Sequence, residues 1–512
     1  MNLISPIRSR FRSLMVLTGQ KMPWLSRFLG FAKLKRRPVW AVFRVVLHLM
    51  GLIYSVSAVM STRTPQGAIA WAISLNTIPV VAVPAWWIFG NSTIGDYAST
   101  RMVGVAEVRP VALQKILDLG ADEVVSPGPH ELISTLSSLS SLPVTKGNQV
   151  KLLVDGQNTF DSAYEAIDAA KDYVLVQFYI IRNDTAGEQL KERLISKARS
   201  GVEVYLIYDD YGSIGLGGKF VKELRDAGAH VTSFMDFDKE PNRFQINFRN
   251  HRKLIIVDGK VGFVGGHNVG DEYFGKHPVL TPWRDSHLRI SGPAVICLQV
   301  PFIEDWTWAT GQDIEGLKWD LEDADEKAAG DALAVGVPSG PADPMETCSL
   351  FFHACIHAAK ERIWIATPYF VPDQALVISL QLAAARGVDV RVLIPDTSDS
   401  KLVQLSSFSY LKEMESAGVQ IWRYQSGFMH QKVLLVDDDF ASIGSANLDN
   451  RSLRLNFELM VAVKDRTFAA EVEEMLQNDF SNSRLATADD LKGKSLFYRM
   501  GVRVARLLAP IQ

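Results

Sequence analysis

Two halves of this sequence carry the same succession of short signatures, and that repetition narrows the possible folds more than composition does. From about residue 149 onward, an Ala-Ala-Lys triplet, an apolar run, a helical segment and an alternating apolar run occur twice in one order. The triplets begin at Ala169 and Ala358, and the helical segments end at Gly201 and Gly387. Strands and helices in alternation, twice over, predict an α/β protein of two similar lobes, each a mixed β-sheet flanked by helices.

Each lobe contains one His-x-Lys pair, His251 with Lys253 in the first and His430 with Lys432 in the second. A single pair of this kind on a strand would usually be an exposed polar face. The chain has ten histidines, so chance should supply well under about 0.1 such motifs. Their duplication at equivalent repeat positions therefore indicates function. Because side chains alternate along a strand, the histidine and lysine of each pair should project from one face.

An aspartate completes each motif, Asp258 in the first lobe and Asp437 in the second, and we group both with the catalytic residues of the motif. The apolar run between lysine and aspartate suits a buried strand. Asp258 has the opposite strand parity to the histidine and is followed by Gly259, a turn pair typical of a hairpin. A strand-end anchor is therefore a more natural role for these aspartates than direct reaction.

Paired histidines and lysines suit phosphodiester transesterification. A neutral imidazole can attack an electrophile or accept a proton, while an ammonium neutralises developing negative charge. Two facing pairs would supply a nucleophile, an acid and positive charge, so we expect neither a metal ion nor another cofactor. Asn268 and Asn447 follow the histidines by seventeen residues in both lobes, after Gly266 and Ser445, and are candidate phosphate-binding residues.

A histidine nucleophile also needs a carboxylate that fixes its tautomer. Asp285 and Glu458 follow the two motifs at comparable distances and are the candidate orienting residues. The repeat symmetry does not specify which of the two histidines attacks.

The first ninety-five residues are typical of a membrane protein. Residues 1–37 carry nine Lys or Arg and no Asp or Glu, and residues 38–60 and 64–95 are two long apolar runs. A spanning helix needs about 20 apolar residues. We therefore expect a two-helix membrane hairpin over 38–90, whereas a pair of buried core helices is the less favoured alternative.

Two features of the apolar runs leave the path of the hairpin open. Arg44 lies within the first run and is costly in lipid unless it reaches the interface. Pro79 and Pro84 could break the second run into a re-entrant shape, although we take the second helix as the more secure of the two. The basic tail predicts a multi-pass protein of the plasma membrane whose catalytic lobes face the cytoplasm.

Composition limits the other function classes. Three cysteines without a CxxC spacing predict neither a disulfide framework nor a zinc site, and they favour a reducing compartment. A net charge of -3 from 54 basic and 57 acidic residues argues against a nucleic-acid binder. The predicted order is basic tail, hairpin, connector, first lobe, acidic linker, second lobe and basic amphipathic tail: 1–37, 38–90, 91–148, 149–312, 313–341, 342–482 and 483–512.

The final segment, 483–512, has two interpretations of about equal weight. Arg499, Arg503 and Arg506 recur at helical spacing beside apolar residues, which is typical of a helix lying on anionic lipid. An ordinary helix packed on the second lobe fits the same pattern.

The duplicated motifs, with the Gly266-x-Asn268 and Ser445-x-Asn447 segments that follow them, resemble the phospholipase D superfamily. More narrowly, the apolar N-terminal segment and several longer stretches resemble the bacterial cardiolipin synthase family: NHRKLIIVDGKVGFVGGHNVGDEY, WRDSHLRISGPAV, TPYFVPD, ARGVDVRVLIPD and GSANLDNRSLRLNFE. The resemblance implies two phospholipase D-like lobes that share one active site. It also implies a covalent phosphohistidine that an alcohol resolves.

Carried over residue by residue, the resemblance makes His251 the nucleophile and His430 the acid that protonates the departing glycerol and then activates the incoming hydroxyl. Lys253, Lys432, Asn268 and Asn447 would bind phosphate. The implied reaction converts two phosphatidylglycerol molecules into cardiolipin and glycerol. Its partners are then phosphatidylglycerol and anionic membrane lipid, with no nucleic acid and no metal, and no oligomeric state is specified.

Three alternatives share the same motifs. A phosphatidyltransferase with another donor or alcohol would look almost identical. A phospholipase would let water resolve the intermediate. A nuclease of the superfamily is disfavoured by the balanced net charge and the membrane segment.

Overall fold

The computed structural model describes residues 36–62, 65–90, 131–235, 247–319 and 330–512, together with positions 114, 124–125 and 128. The chain forms two compact units that divide between Ser92 and Thr93. Residues 1–35 of the predicted basic tail 1–37 and most of the predicted connector lie outside the described residues.

Within its described residues, 36–62 and 65–90, the first unit contains three helices where the sequence predicted two: α1 (Arg36–Ser61), α2 (Pro65–Thr77) and α3 (Pro79–Phe89). The second apolar run is broken at Ile78, because Pro79 has no N–H to continue the helix. The expectation that this run forms the more secure spanning helix is therefore wrong. Among the described residues, only Trp40–Ser61 is long and apolar enough to cross a membrane by itself.

Helix α1 has the surface of a lipid-facing helix. A small cluster around Leu75, Val83 and Trp86 packs the three helices together. Most of the apolar side chains of α1 point away from that cluster; Ile53 is 67% exposed and Met60 is 81% exposed. Exposed apolar surface of this extent is unusual on a soluble protein and is expected where lipid is the solvent.

The second unit alternates strands and helices. Its strands are β1 (Val124–Val125), β2 (Val144–Val154), β3 (Tyr173–Phe178), β4 (Glu203–Tyr208), β5 (His230–Ser233), β6 (Arg249–Asn250), β7 (Leu254–Val257), β8 (Val261–Gly265), β9 (Trp283–Arg284), β10 (Ser286–Ser291), β11 (Ala332–Ser339), β12 (Arg362–Ala366), β13 (Phe370–Val371), β14 (Asp389–Pro395), β15 (Gln420–Tyr424), β16 (Phe428–Met429), β17 (Val433–Val436), β18 (Phe440–Gly444), β19 (Leu448–Asp449), β20 (Asn456–Lys464) and β21 (Ser483–Ala486).

Its helices are α4 (Leu132–Ser140), α5 (Asp155–Ala169), α6 (Thr185–Arg199), α7 (Gly218–Asp226), α8 (Pro293–Thr310), α9 (Thr347–Ala358), α10 (Gln374–Ala385), α11 (Lys401–Phe408), α12 (Leu411–Glu415), α13 (Asn450–Arg454), α14 (Arg466–Ser481) and α15 (Leu496–Leu507). Several of them begin at an aspartate whose carboxylate accepts a backbone N–H of the first turn, as Asp184 does from Gly187 and Asp373 from Leu376.

The strands confirm the internal repeat. In the first lobe the order is β5-β4-β3-β7-β8-β10-β2, with β3, β4 and β5 parallel and the remaining pairs antiparallel. In the second lobe the order is β15-β14-β12-β17-β18-β20-β11 with the same directions. The two halves join where β2 pairs with β11, so one mixed sheet runs through both lobes.

The lobes share a core. One apolar cluster lies within the first lobe, and another combines residues of the second lobe with part of α8. A third cluster contains strand residues of both lobes, such as Leu254 and Leu288 of the first and Leu435 and Leu459 of the second. Helices α8 and α14 contribute to this shared cluster through side chains such as Phe302. Neither lobe can therefore bury its apolar surface without the other.

Three segment boundaries differ from those predicted. Strand β2 begins within the predicted connector 91–148, and β11 lies within the predicted acidic linker 313–341. Strand β21 belongs to the predicted tail but pairs with β15. Each of these strands is a short run next to a charged or polar segment, and a strand that it pairs with lies far away in the sequence. The local pattern therefore does not separate the strand from that segment.

Candidate active site

The two motif histidines occupy equivalent places, each in the short turn that leads into a strand, β7 or β17. The backbone N–H of His251 donates to the carbonyl oxygen of Phe457 over 2.8 Å, and that of His430 donates to the carbonyl oxygen of Arg284 over 2.7 Å. These bonds extend two short parallel pairings between lobes, β6 with β20 and β9 with β16. Each histidine is thus fixed to a strand of the opposite lobe.

This pairing places each histidine beside the carboxylate of the other lobe. His251 Nδ1 lies 2.9 Å from Glu458 Oε2, and His430 Nδ1 lies 2.7 Å from Asp285 Oδ2. All four side chains are buried. With Nδ1 bonded to a carboxylate, the Nε2 atom of each imidazole is the nitrogen left for chemistry.

Glu458 is held by a dense set of donors. Ser445 Oγ donates to its Oε2 over 2.6 Å, while Ser452 Oγ and Asn456 Nδ2 donate to its Oε1 over 2.7 and 3.1 Å. Burial by itself raises the pKa of this carboxyl group, but His251 and the surrounding donors outweigh burial and bring the pKa down to about 2. The surroundings of Glu458 thus favour the ionised form of its carboxyl group.

Asp285 has a different electrostatic environment. Its Oδ1 accepts the backbone N–H of Ser286 over 2.8 Å, and burial raises the pKa of its carboxyl group. Gly266 passes directly over it, since a Cβ added at Gly266 would lie 2.1 Å from Asp285 Oδ1. The absence of a side chain at Gly266 thus leaves space for the Asp285 carboxylate. At the equivalent position, the Ser445 hydroxyl holds the Glu458 carboxylate by a hydrogen bond.

The two motif lysines are fully enclosed. Lys253 Nζ donates to the carbonyl oxygen of His251 over 2.6 Å, and Lys432 Nζ makes the equivalent bond to the carbonyl oxygen of His430. Burial lowers the pKa of both ammonium groups, that of Lys253 well below its ordinary value and that of Lys432 to about 8. An anion bound beside them would favour the charged form of both lysines.

Burial disfavours the charged form of both motif histidines. Burial lowers the pKa of His251 to about 4, with Lys253 adding to the effect and Glu458 opposing it. Burial and both motif lysines lower the pKa of His430 well below its ordinary value. A neutral imidazole is the form needed for nucleophilic attack.

The motif aspartates lie at the opposite ends of β7 and β17 from the histidines. The carboxylate of Asp258 accepts the backbone N–H groups of Lys171, Asp172 and Tyr173 over 2.8–2.9 Å. That of Asp437 accepts those of the three residues at the equivalent turn, Lys360, Glu361 and Arg362. Both have positive φ, 53° and 49°. This geometry supports strand-end anchoring and does not support grouping them with the catalytic residues.

The two candidate phosphate-binding asparagines already bond to the protein. Asn268 Oδ1 accepts the N–H of Ile180 over 3.1 Å, and its Nδ2 donates to the Tyr273 hydroxyl over 3.0 Å. Asn447 Nδ2 donates to Asp449 Oδ2 over 3.3 Å. These amide hydrogen bonds stabilise the loops that follow β8 and β18.

Aromatic side chains that the sequence did not single out form the wall of the site. The ring of Tyr179 lies 4.9 Å from that of His251, between centroids. Around His430, the rings of Trp283 and Phe428 lie at 5.8 Å and that of Tyr273 at 6.1 Å. These residues come from three separate parts of the sequence and belong to no shared motif, so it is the fold that brings them together around the histidines.

Arg252, the residue between the motif histidine and lysine, points to the opposite side of the chain. It is fully buried, and its guanidinium donates to Asp305 Oδ2 over 2.8 Å and to the carbonyl oxygens of Pro301 and Glu458 over 3.1 Å. Because Pro301 and Asp305 belong to α8 of the first lobe and Glu458 to β20 of the second, this side chain ties the lobes together directly beneath the site.

Comparisons with known proteins agree on the family. The family model described as "Cardiolipin synthase, PLD-like domain" matches residues 163–278 and 352–480, one match in each lobe. A Cardiolipin synthase A of Pseudomonas putida (strain GB-1) is 47% identical over 471 residues, which cover 91% of this chain and 97% of that protein. A Cardiolipin synthase A of Pseudomonas aeruginosa (strain LESB58) is 45% identical, over 91% of this chain and 95% of that protein.

A solved structure shares the fold. The crystal structure of a phosphatidylserine synthase from Haemophilus influenzae Rd KW20 superposes with a TM-score of 0.57. The superposition covers 78% of this chain and 100% of that one, at 13% sequence identity.

Proposed function

Because the chain belongs to the cardiolipin synthase family of phospholipase D-like proteins, and is an enzyme of phosphatidyl transfer, we propose that it converts two phosphatidylglycerol molecules into cardiolipin and glycerol. The observation that carries the proposal is the buried cluster of two histidines and two lysines, in which each histidine is oriented by a carboxylate of the other lobe. One phosphodiester is exchanged for another, so the reaction needs no activated nucleotide.

In the first step, His251 Nε2 attacks the phosphorus of one phosphatidylglycerol. The bond between phosphorus and the glycerol headgroup oxygen breaks, and His430 donates a proton to that oxygen as glycerol leaves. Because the pKa of His430 lies well below its ordinary value, the proton that it donates is taken up together with the anionic substrate. Lys253 and Lys432 stabilise the negative charge on the phosphoryl oxygens.

In the second step, the terminal hydroxyl of another phosphatidylglycerol attacks the phosphohistidine. His430 accepts the hydroxyl proton, a new phosphorus–oxygen bond forms, and His251 is released as a neutral imidazole. The proton thus returns to His430 and is available for the next cycle, so that the two steps balance without net uptake or loss of protons.

An electrostatic asymmetry favours His251 as the nucleophile. Attack converts the imidazole into a cationic phosphoimidazolium whose Nδ1–H needs an ionised partner. Glu458 is that partner, since its pKa is held at about 2, whereas burial raises the pKa of Asp285. The repeat makes the two histidines equivalent in sequence, but their carboxylates differ.

We also propose that the protein is multi-pass, with its catalytic lobes on the cytoplasmic side. Helix α1 would span outward, and α2 with α3 would return the chain as a broken segment of 25 residues from Pro65 to Phe89. The nine basic residues in 1–37 favour the cytoplasm. A cysteine introduced at exposed Ser200 should react with an impermeant maleimide only after cells are opened; labelling in intact spheroplasts would reverse the orientation.

The reaction is tested with detergent-purified protein given phosphatidylglycerol alone, with a chelator and without nucleotide. Mass spectrometry of the lipids and an assay for glycerol should give cardiolipin and glycerol in equal amounts, and added glycerol should drive the reaction backward. Phosphatidic acid as the product would indicate a hydrolase. Dependence on a cytidine-activated lipid or a divalent ion would exclude the proposed mechanism, and a need for a second lipid would change the donor assignment.

A further inference from the structure

Helix α15 is held firmly on the second lobe by one of its faces. Val502 and Ala505 are buried and join the apolar cluster of that lobe, and the ring of Tyr498 lies 6.0 Å from that of Phe408 on α11. Arg506 forms an ion pair of 3.0 Å with Glu413. The packed-helix interpretation of the tail is therefore supported for this face.

The residue that closes the sequence strengthens this attachment. Gln512 Nε2 donates to the carbonyl oxygen of Ala505 over 2.8 Å, and its Oε1 accepts from Ser406 Oγ over 2.7 Å. Its carbonyl oxygen accepts the backbone N–H of Arg451 over 2.8 Å. Because Arg451 lies on α13, directly after the loop that contains Asn447, the helix is linked by one hydrogen bond to the active-site region.

The opposite face of α15 is apolar and exposed, which reverses the usual arrangement. A surface helix ordinarily turns its apolar stripe to the core and its polar face to water. Here Phe497 is 79% exposed and Leu507 is 78% exposed, and three more apolar side chains of the same face are more than half exposed. The exposed apolar face consists of Leu496, Phe497, Met500, Val504 and Leu507.

Positive charge borders this apolar face. At 100° per residue, Arg499 and Arg503 lie along one edge of it, and both are exposed. Lys494 precedes the helix and is also exposed, whereas the charge of Lys492 is paired with that of Asp489. From Leu491 to Gln512 the sequence contains no Asp or Glu. An apolar face with a purely basic edge is complementary to a bilayer that carries anionic headgroups.

We infer that the exposed apolar face of α15, with Arg499 and Arg503 at its edge, docks on the surface of an anionic lipid bilayer. This contact is additional to the N-terminal helices and independent of the proposed reaction. It attaches the second lobe itself to the membrane, through a helix that is bonded to the loop region around α13. Both interpretations of the tail then hold together, one for each face of the helix.

The test uses the full-length protein in vesicles. The three native cysteines are buried, so a cysteine introduced by Leu507→Cys can be labelled alone with an environment-sensitive fluorophore. The matched control is Lys219→Cys, whose native side chain is 89% exposed on the first lobe. Vesicles of phosphatidylcholine are compared with and without phosphatidylglycerol, and lipid-borne nitroxides serve as quenchers.

In vesicles that contain phosphatidylglycerol, quenching at position 507 should be at least about threefold stronger than at position 219. Arg499→Glu with Arg503→Glu should reduce it, as should Phe497→Ser with Met500→Ser; these side chains are exposed, so the melting temperature should stay unchanged. Equal quenching at the two positions would overturn the inference. Blue-shifted emission without lipid quenching would also overturn it, because protein rather than lipid would then cover the apolar face. Quenching that does not depend on the lipid charge would overturn it as well. The readout requires no catalysis, so its failure is separate from a failure of the proposed reaction.

Discussion

At the scale of single residues, the site is an arrangement of charges that burial makes costly and mutual contact makes tolerable. Two lysines, two imidazoles and two carboxylates are enclosed together. A buried charge is stable only with a partner, and here each partner also adjusts a pKa. Glu458 is the most strongly fixed of these groups, because its two oxygens accept from a histidine, two serines and an asparagine.

Replacing Glu458 should therefore disable His251 without removing it. In Glu458→Gln the shape is kept, but the ionised partner of the phosphoimidazolium is lost and the side-chain amide favours the wrong imidazole tautomer. We expect kcat to fall by roughly 10³–10⁴, the scale seen when a triad carboxylate becomes an amide. Steady-state cardiolipin formation measures it. Glu223→Gln, the same change at a surface ion pair with Lys191, is the control. A loss of less than tenfold would contradict the orienting role.

The buried pKa values predict an unusual pH profile for kcat/KM. His251 must be neutral to attack, and its lowered pKa of about 4 keeps it neutral well below the ordinary imidazole range. Lys432 must be charged, and its lowered pKa of about 8 removes that charge at moderately alkaline pH. The acid limb set by His251 should therefore lie near pH 4, not 6.5, and a further decline set by Lys432 should begin above about pH 8. Between these limits kcat/KM should fall gradually as the pH rises, because His430 must take up its proton with the substrate.

The matched variant for the alkaline limb is Lys432→Arg. A guanidinium stays protonated throughout the range, so its residual activity should show no additional decline near pH 8. An acid limb at the ordinary histidine value, or an alkaline limb unchanged in this variant, would show that other groups control the profile.

At the scale of secondary-structure elements, two-residue strands have the largest consequence. The pairing of β6 with β20 and of β9 with β16 joins the lobes by backbone hydrogen bonds. It thereby places each histidine beside the carboxylate of the other lobe. The sequence identified the repeat, the motif residues and both carboxylates, because periodic strands and duplicated motifs are local signals. The pairing of each carboxylate with its histidine could not be predicted from local patterns, because the two residues of each pair are 145 or 207 positions apart.

The same reasoning explains the errors at the N-terminus and the linker. Hydropathy alone did not predict the break at Ile78, although Pro79 was recognised as a potential interruption. Strand β11 lies within the predicted acidic linker, because its pairing with a neighbouring strand such as β20 cannot be inferred from composition. Local pattern specifies the type of an element, while its neighbours depend on the whole sheet.

The anchoring aspartates give a prediction at this scale. Asp258→Asn keeps a residue that tolerates positive φ, but it turns an amide NH₂ toward backbone N–H groups and loses the charge-assisted bonds. The free energy of unfolding should fall by about 1–3 kcal/mol, while kcat per folded molecule should stay within about threefold of wild type. Thermal melting and active-site titration measure the two quantities.

Asp161→Asn, on the exposed surface of α5, is the control and should change neither quantity. A variant at Asp258 that melts like the wild type yet has lost turnover would assign the aspartate to the chemistry instead.

At the scale of the whole molecule, the second unit is one folding unit despite its repeat. The shared apolar cluster contains strands of both lobes, and Arg252 bonds to α8 and β20 together. Cutting such a buried ion pair by removing one partner typically costs several kcal/mol. One chain therefore contains one complete site made from both halves.

This organisation predicts the behaviour of mixed variants. His251→Ala and His430→Ala should each abolish turnover while leaving the protein folded, and the double variant should be no worse than either, because the two groups act as a unit. Mixing the two single variants should restore no activity, since neither chain contains a complete pair. Recovery toward a quarter or a half of wild-type activity would mean that lobes from different chains combine.

The crossed carboxylates also make the two halves of the repeat depend on each other. Glu458 orients His251 and Asp285 orients His430, so each half supplies one histidine together with the partner of the other. A substitution that displaces either cross-lobe strand pair, β6 with β20 or β9 with β16, would therefore misalign a histidine of one half against a carboxylate of the other. Neither half of the repeat can change its site residues independently.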